Sequence, residues 1–303
     1  MEKKKCLLTI GMPVYNGEQY IRTAIESILN QSFMDFELLI SDNASTDSTE
    51  KICLDYASRD KRIKYIRHEA NMGLENNYMF VVNEACTDLF MWASYDDIWK
   101  SGFIEKLVPA FSNPDVVSVF CPVDEIDEKG NVLQFGLRNI YPTSNLLFRI
   151  YKFWLNTKES RDLILYGIHK TVIFKGLILK PFRWPNNDRP DGVGDYIANH
   201  ILACGKYFFV DGESHFLRRV TLNPPRKQNH TKRGVVSELI HAFTLDIQMS
   251  YRSWISIWNC TKSFNNFILT TPVFIIYIVK VNFFRIYKLI KYYLKKNRIN
   301  CFN

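Results

Sequence analysis

Two adjacent carboxylates, Asp96 and Asp97, follow a short apolar run that ends at Ala93. Neighbouring carboxylates repel each other unless a cation, a hydrogen-bond donor or solvent relieves them. A divalent cation with oxygen ligands does this and can also bind a diphosphate, whose charge it neutralises when a bond to it breaks. The pair by itself also suits a solvated turn. Its meaning therefore depends on which other side chains the fold brings to the same place.

Two further segments place aromatic or acidic side chains after short apolar runs. Pro13–Asn16 follows the first such run, and Tyr15 offers a ring face for stacking. Ser41–Asp47 follows the second, and its Asp42 carboxylate can accept hydrogen bonds from a nucleobase. Ligands of open α/β sheets bind at the carboxyl ends of strands, so we expect all three segments on one rim. Capping of the next helix by Asp42 or Ser45 is the alternative.

Short apolar runs alternate with helical patterns along the chain, which is typical of βαβ units. The sequence therefore predicts an α/β fold with a mostly parallel central sheet flanked by helices. The predicted strands are residues 6–10, 36–41, 63–67, 89–93, 116–120, 206–210 and 215–220. The predicted helices are 20–29, 46–57 with Ser45 or Thr46 as its cap, 74–85, 103–111, 146–155, 194–204 and 235–253, and 124–134 is a predicted hairpin.

The net charge of +8 is concentrated near the C-terminus. After Asp246 there are nine basic residues and no acidic one, which leaves 30 basic and 31 acidic residues in residues 1–246. This balance argues against a nucleic-acid partner. From Lys280 to Arg298 basic residues alternate with aromatic and aliphatic ones, after the apolar stretch Phe267–Phe284. The pattern favours binding to an anionic membrane surface, and a helix packed on its own domain or on a second copy is the alternative.

Seven cysteines are spread along the chain without a CxxC pair, which predicts reduced thiols in the cytosol. The apolar stretch that begins at Cys6 is too short for a secretory signal.

Residues 224–230 are polar and aperiodic, and we expect a mobile flap over a site. The expected domains are 1–225, with halves 1–125 and 126–225, and a helical, basic and aromatic region, 226–303.

These segments together resemble the family 2 glycosyltransferases, which have the GT-A fold. The resemblance is specific over about residues 7–125 and looser to about 220. The matching segments are Pro13–Asn16 with Tyr20 and Ile21 (opening loop), Ile40–Asp47 (base-binding loop), Asn71–Gly73 (Asn-x-Gly segment) and Asp96–Asp97 (Asp-x-Asp motif).

The resemblance implies an inverting, metal-assisted enzyme that moves a sugar from a nucleoside diphosphate, expected to be UDP, to a saccharide acceptor. Such reactions build cell-surface polysaccharides and glycoconjugates. By carry-over, Asp42 would contact the base, Asp96 the ribose or phosphate, and Asp97 a Mn²⁺ or Mg²⁺ ion. The other expected donor-binding residues are Pro13, Tyr15, Asn16 and Asn71. A lipid-linked acceptor would account for the tail, on an enzyme peripheral to the cytoplasmic face of the cell membrane.

The acceptor hydroxyl needs a base, which the family supplies from an acid that opens a helix beyond the middle of the chain. Asp195 best fits that spacing, Asp191 and Asp188 are alternatives, and a helix-capping carboxylate also suits the position. Arg219, next to Arg218, is expected to grip the diphosphate through paired hydrogen bonds, although a solvated edge strand explains both arginines as well.

The sequence departs from the family at Ser94, where many members have an acid, so fewer carboxylates are available for the metal. Candidates for a third ligand are His200, His215 and His230, and an ordinary hydrogen-bonded histidine explains each of them too.

Two other functions are compatible with parts of the pattern. A non-catalytic, membrane-associated relative that binds sugar nucleotides or glycans would keep the fold, but the retention of both Asp96 and Asp97 argues against it. A nucleotidyltransferase would need a glycine-rich phosphate loop after the first strand, where this chain has Pro13–Asn16.

Overall fold

The structure is a computed structural model that describes residues 6–137, 145–146, 161–174, 193–210, 212–220, 271 and 275. The chain divides into two compact units, residues 1–140 with 159–223 and residues 141–158 with 224–303. The strands and helices given below all belong to the first unit. The predicted flap, the helix at 235–253 and the basic tail lie outside the described residues, as does the helix at 146–155 beyond Leu146.

A seven-stranded mixed sheet forms the centre of the first unit. Its strands are β1 (Leu8–Val14), β2 (Phe36–Asp42), β3 (Ile63–Arg67), β4 (Leu89–Trp92), β6 (Val116–Phe120), β9 (Ile168–Lys170) and β10 (Lys206–Phe209). Their order is β10-β6-β9-β4-β1-β2-β3. β1 pairs in parallel with β2 and β4, β2 with β3, and β6 with β10, whereas β9 runs antiparallel to β4 and β6. The predicted α/β fold with a mostly parallel sheet is confirmed.

A second, four-stranded sheet lies beside the strand ends. Its members are β5 (Ile98–Trp99), β7 (Val123–Ile126), β8 (Val132–Leu137) and β11 (Phe216–Arg219), in the order β5-β11-β7-β8. β7 and β8 form the predicted hairpin. β11 pairs antiparallel with β5 and parallel with β7. This pairing carries the end of β11 to the segment that contains Asp96 and Asp97.

The helices are α1 (Ile21–Leu29), α2 (Thr49–Arg59), α3 (Leu74–Glu84), α4 (Phe103–Leu107) and α5 (Val193–Cys204), with 3₁₀ helices at Val108–Ser112, Arg161–Tyr166 and Thr171–Phe174. α1 buries Ile21, Ala24, Ile25 and Ile28, whose three- and four-residue spacing forms one face. Among the described residues no helix has the length and apolarity needed to cross a membrane.

The start of α2 differs from the prediction. Ser45 or Thr46 was expected to cap this helix, but α2 begins at Thr49, so that prediction is wrong. Residues before Thr49 instead form a loop in which Ala44 has a positive φ of 62°. The Asp47 carboxylate accepts the Thr49 backbone N–H at 3.0 Å and satisfies a donor of the first turn.

Candidate active site

The loops after β1, β2 and β4 lie at one rim of the large sheet. β1 pairs in parallel with both β2 and β4, so the carboxyl ends of all three strands face the same way. β1 and β2 are longer than predicted, and Pro13 and Asp42 are their next-to-last and last residues. The candidate residues of these three loops therefore lie at one rim of the sheet.

The loops after β1 and β2 are joined by hydrogen bonds in both directions. The Asn16 backbone N–H donates to Ser45 Oγ at 2.9 Å, and the Thr46 N–H donates to Asn16 Oδ1 at 2.8 Å. The Gly17 N–H donates to Thr49 Oγ1 at 2.8 Å. Asn16 itself has a positive φ of 52°, which asparagine tolerates better than most residues. The two loops therefore form one connected surface.

Asp42 is fully buried at the centre of this surface. Its carboxylate has no exposed area. Oδ1 accepts the Ser45 N–H at 2.8 Å, and Oδ2 accepts the Tyr65 hydroxyl at 2.7 Å, with Arg67 Nε 4.0 Å away. Both oxygens therefore already have partners within the fold. A direct contact between Asp42 and a base stays a prediction.

The segment that contains Asn71 joins the same surface. Asn43 Nδ2 donates to Asn71 Oδ1 at 3.0 Å, and Asn43 Oδ1 accepts the Met72 N–H at 2.8 Å. Asn71 Oδ1 also accepts the Gly73 N–H at 2.9 Å. Asn71 is exposed, and so is Tyr15, at 43%. Both side chains can therefore reach a ligand on the rim.

The loop after β4 closely approaches the loop after β1. A Cβ atom on Gly17 would lie 2.7 Å from Val14 Cγ2 and 2.8 Å from Tyr95 Cδ2, closer than side chains tolerate. Glycine at this position lets the two loops touch. Tyr95 directly precedes Asp96, so the acidic pair is brought to the rim.

Asp97 and Asp96 lie in different environments. Asp97 is 2% exposed, and its Oδ1 accepts the Arg219 backbone N–H at 2.7 Å. Asp96 is partly exposed, and its Oδ1 accepts a hydrogen bond from the Ser94 hydroxyl. Burial, followed by the charge of Asp96, raises the pKa of Asp97 well above its usual range, against the opposing effects of the Arg219 N–H and of the Arg218 and Arg219 charges. A bound cation would stabilise the charged form of Asp97, which burial and Asp96 disfavour.

Arg219 connects the acidic pair to the β7–β8 hairpin. Its Nε donates to the Asp96 carbonyl at 2.8 Å, and its Nη1 donates to the carbonyls of Asp127 at 2.7 Å and Glu128 at 3.0 Å. Its guanidinium carbon lies 4.5 Å from the centre of the Tyr20 ring. The predicted grip of Arg219 on a diphosphate stays a prediction.

The remaining candidates are those for the third metal ligand and for the base. His200 Nε2 lies 2.6 Å from the Ile173 carbonyl oxygen, and His215 Nε2 lies 3.0 Å from Lys106 Nζ. Asp195 falls in the first turn of α5, but its side chain lies outside the described residues, as do His230, Asp191 and Asp188.

Several residues that build the rim were not singled out from the sequence. They are Glu18, Thr49, Tyr65 and Tyr78. Burial and the charges of Asp96 and Asp97 raise the pKa of Tyr78, whose side chain also interacts with Ser94. An acid two residues before a helix-opening threonine, as in Asp47-Ser48-Thr49, is a sequence signal for such a loop. The tyrosines give no local signal, because their partners are distant in sequence.

The acidic pair fits a hard divalent cation. Within the part of the first unit that the structure describes, no three His, Cys, Asp or Glu side chains converge as a metal site. Mg²⁺ is commonly held by one or two carboxylates together with substrate phosphates, so such a cage is not required. Asp97 Oδ2 accepts no hydrogen bond from a described residue, and the neighbouring Asp96 is partly exposed. The two carboxylates therefore suit an ion shared with a diphosphate.

A cavity of about 670 Å³ lies at the opposite ends of the strands. Leu7 precedes β1 and Leu89 opens β4, and both line it, with Phe111 and Thr171 among the other lining residues. Its position separates it from the acidic pair.

Comparison with known proteins gives a consistent result. The family model described as Glycosyl transferase family 2 matches residues 9–172. An uncharacterized glycosyltransferase of Rickettsia typhi is 33% identical over 178 residues, which are 58% of this chain and 50% of that protein. The chain thus spans about half the length of this relative. An uncharacterized glycosyltransferase of Methanocaldococcus jannaschii is 27% identical over 297 residues, 92% of this chain and 94% of that protein.

Solved structures agree on the fold. Staphylococcus aureus TarS 1–349 in complex with UDP-GlcNAc aligns with a TM-score of 0.60 at 15% identity, over 88% of this chain and 71% of that one. The same protein in complex with UDP aligns with a TM-score of 0.57 at 14% identity, over 88% and 70%. At such low identity the likeness supports the shared architecture alone.

Proposed function

The chain belongs to glycosyl transferase family 2 and is a glycosyltransferase with the GT-A fold, and on that premise we propose that it takes a sugar from a nucleoside diphosphate held at the Asp96–Asp97 rim. The observation that carries this proposal is the pairing of a buried Asp97, whose pKa is raised, with a partly exposed Asp96. Such a pair favours a divalent cation, and a diphosphate completes the coordination of that cation.

The donor is proposed to lie across the surface formed by the loops after β1, β2 and β4. The exposed Tyr15 ring provides a stacking face, and the exposed Asn71 amide is hydrogen-bonded to the loop that Asp42 holds. We assign the base end of the donor to this side and the diphosphate end to Asp96 and Asp97. A uridine donor is supported by the complexes of TarS with UDP and UDP-GlcNAc, which share the fold.

Bound at Asp97, Mn²⁺ or Mg²⁺ would supply Lewis-acid stabilisation of the departing diphosphate. Asp97 would hold the ion through its carboxylate, and Asp96 would orient the ribose or phosphate side of the donor. The acceptor hydroxyl attacks the anomeric carbon as the bond from that carbon to the diphosphate oxygen breaks, and the configuration inverts. Asp195 is the proposed base for the hydroxyl proton, with Asp191 and Asp188 as alternatives.

The acceptor is proposed to be a saccharide on a lipid carrier, made accessible by a C-terminal region that binds the cytoplasmic face of the membrane. The nine basic residues after Asp246 and their aromatic neighbours support this. Flotation with vesicles tests it: we expect binding with anionic lipid and none with zwitterionic lipid. Replacement of Lys288, Lys291, Lys295 and Lys296 by Gln should abolish flotation, whereas equal flotation of both proteins would contradict the membrane role.

Calorimetric titration of UDP, with Mn²⁺ or with EDTA, tests the donor site. We expect Mn²⁺-dependent binding by the wild-type protein, and we expect Asp97→Ala to weaken it about 100-fold through loss of the metal ligand. Asp88→Ala, at an exposed aspartate directly before the first residue of β4, is the matched control and should bind as the wild type does. Unchanged UDP binding by Asp97→Ala would contradict the assignment of the metal to Asp97.

Donor hydrolysis with a panel of sugar nucleotides then identifies the sugar and separates an enzyme from a binding relative. We expect one donor to be hydrolysed faster than the rest, with Mn²⁺ required. Tight binding of a donor without hydrolysis or transfer to any saccharide would favour the non-catalytic alternative.

A further inference from the structure

Arg219 is the one described side chain that contacts both the acidic segment and the β7–β8 hairpin turn by hydrogen bonds from its guanidinium. The two edges of an arginine side chain carry separate N–H donors in a fixed plane, so they can bridge two backbone segments at a set distance. Here Nε reaches Asp96, and Nη1 reaches Asp127 and Glu128. The side chain therefore fixes the distance between the two segments.

The hairpin turn is a rigid anchor for this bridge. Asp127 Oδ1 accepts the N–H groups of Lys129 and Asn131, each at 2.8 Å, and Asp127 Oδ2 accepts Asn131 Nδ2 at 2.9 Å. The Asp127 carbonyl, which accepts Arg219 Nη1, also accepts the Gly130 N–H at 3.1 Å. Because the turn is held by its own hydrogen bonds, Arg219 ties the acidic segment to a locally ordered turn.

The other face of the arginine is held as well. Tyr20 lies directly before α1, and its ring lies 4.5 Å from the guanidinium carbon. Stacking of this kind fixes the plane of the guanidinium. The backbone N–H of Arg219 donates to Asp97 Oδ1 at 2.7 Å. One residue thus holds the carbonyl of Asp96 with its side chain and the carboxylate of Asp97 with its main chain.

We propose that Arg219 is a positioning residue that sets the Asp97 carboxylate for a divalent cation by tying the acidic segment to the hairpin turn over the Tyr20 ring. This role rests on the proposed function and differs from a direct grip on the diphosphate. A direct grip through paired hydrogen bonds would need two free guanidinium nitrogens. Among the described residues, Nε and Nη1 of Arg219 already have acceptors, and only Nη2 lacks one. The two roles therefore make different predictions for metal binding without nucleotide.

Titration of Mn²⁺ into the nucleotide-free protein, followed by the paramagnetic resonance signal of the free ion, separates the two roles. Arg219→Lys keeps the charge but loses the two-edged bridge, and we expect the Mn²⁺ dissociation constant to rise about tenfold. Tyr20→Leu should raise it about threefold, because Leu cannot stack on the guanidinium. In donor hydrolysis the Mn²⁺ concentration for half the maximal rate should rise about tenfold in Arg219→Lys.

Arg62→Lys is the matched control. Arg62 also stacks on a ring, 4.6 Å from the centre of Phe36, and also donates to a backbone carbonyl, that of Leu29 at 3.2 Å, but it lies at the opposite ends of the strands. We expect Mn²⁺ affinity within about twofold of the wild type in this variant. If Arg219→Lys keeps wild-type Mn²⁺ affinity and loses only UDP affinity, the positioning role is overturned in favour of a direct grip.

Amide hydrogen exchange of the metal-free proteins tests the bridge without any ligand. Faster exchange at Asp96–Trp99 in Arg219→Lys and in Tyr20→Leu, and not in Arg62→Lys, would support the role. Wild-type exchange at these amides in both test variants would overturn it. If the wild-type protein fails to bind Mn²⁺, the proposed metal site fails, and the exchange result still decides whether Arg219 holds the segment.

Discussion

Asp42 and Asp97 occupy equivalent places on the rim, since one ends β2 and the other follows β4, on either side of β1. Both are buried, at 0% and 2% exposure. Asp42 has a hydrogen-bond donor for each oxygen, from Ser45 and Tyr65. Among the described residues, Asp97 has a donor for Oδ1 alone, from Arg219, and has Asp96 as its neighbour.

The difference shows that two aspartates at similar positions in the fold can have different roles. The fold satisfies Asp42, so this carboxylate holds a loop together. The fold leaves Asp97 with an incompletely satisfied charge, and burial and Asp96 raise its pKa. A strand-end acid is therefore a candidate for ligand binding, and its partners within the fold decide whether it is a structural or a reactive group.

Removal of the Asp42 carboxylate should give the largest loss of stability. Asp42→Ala leaves the Ser45 N–H and the Tyr65 hydroxyl without their acceptor, and we expect a loss of about 4 kcal/mol from two hydrogen bonds to a buried charge. Urea denaturation followed by circular dichroism measures it. Tyr65→Phe, which removes one of the two bonds, should cost about 1.5 kcal/mol. A loss in Asp42→Ala no larger than in Tyr65→Phe would contradict the structural role.

His169 extends the comparison to the interior of the sheet. It is fully buried on β9, its Nδ1 lies 2.9 Å from Ser118 Oγ, and its Nε2 lies 3.3 Å from the Leu165 carbonyl. Burial lowers its pKa to about 4, and the Leu165 carbonyl opposes the shift. Like Asp42, it has a partner at each polar atom, and it is neutral at pH 7.

The pH dependence of stability checks this assignment. Because the pKa of His169 is lower in the folded than in the unfolded state, the unfolded state binds the proton first as the pH falls. The protein should therefore lose up to about 3 kcal/mol of stability between pH 6.5 and pH 4 from this residue. Unfolding in urea across that range, on the wild type and on His169→Gln, measures it. Equal slopes with pH in the two proteins would show that His169 is not buried in a neutral form.

Backbone strain in the Asp42 loop should give the smallest effect. Ala44 has a φ of 62°, which costs a residue with a Cβ more than it costs glycine. We expect Ala44→Gly to stabilise the protein by about 1 kcal/mol. Ala57→Gly, within α2, is the control and should destabilise it by about 1 kcal/mol. A destabilised Ala44→Gly in thermal unfolding would show that the loop is not strained at this residue.

The sequence predicts that β1 and β2 exist because both strands are almost entirely buried, and such strands form apolar runs, but it ends β1 at residue 10, four residues before Val14. It does not predict β9, which has three residues and inserts antiparallel between β4 and β6. A three-residue strand is shorter than any periodic signal.

Some residues of the site are likewise predictable from the sequence, and their contacts are not. Asp96 and Asp97 are recognisable because the pair is adjacent in sequence and follows an apolar run. Arg219 is a candidate from the sequence, but its contact with Asp97 and that of Tyr65 with Asp42 are not recognisable, since the partners are 122 and 23 residues apart. Only the pairing of the strands brings them together.

The contrast between the two aspartates is tested most directly by one titration of Mn²⁺ into nucleotide-free Asp97→Asn and Asp42→Asn, with the wild type as reference. We expect Asp97→Asn to lose about 100-fold in Mn²⁺ affinity and Asp42→Asn to stay within about threefold. Equal losses in both variants, or a wild-type affinity in Asp97→Asn, would contradict the assignment of the metal to Asp97.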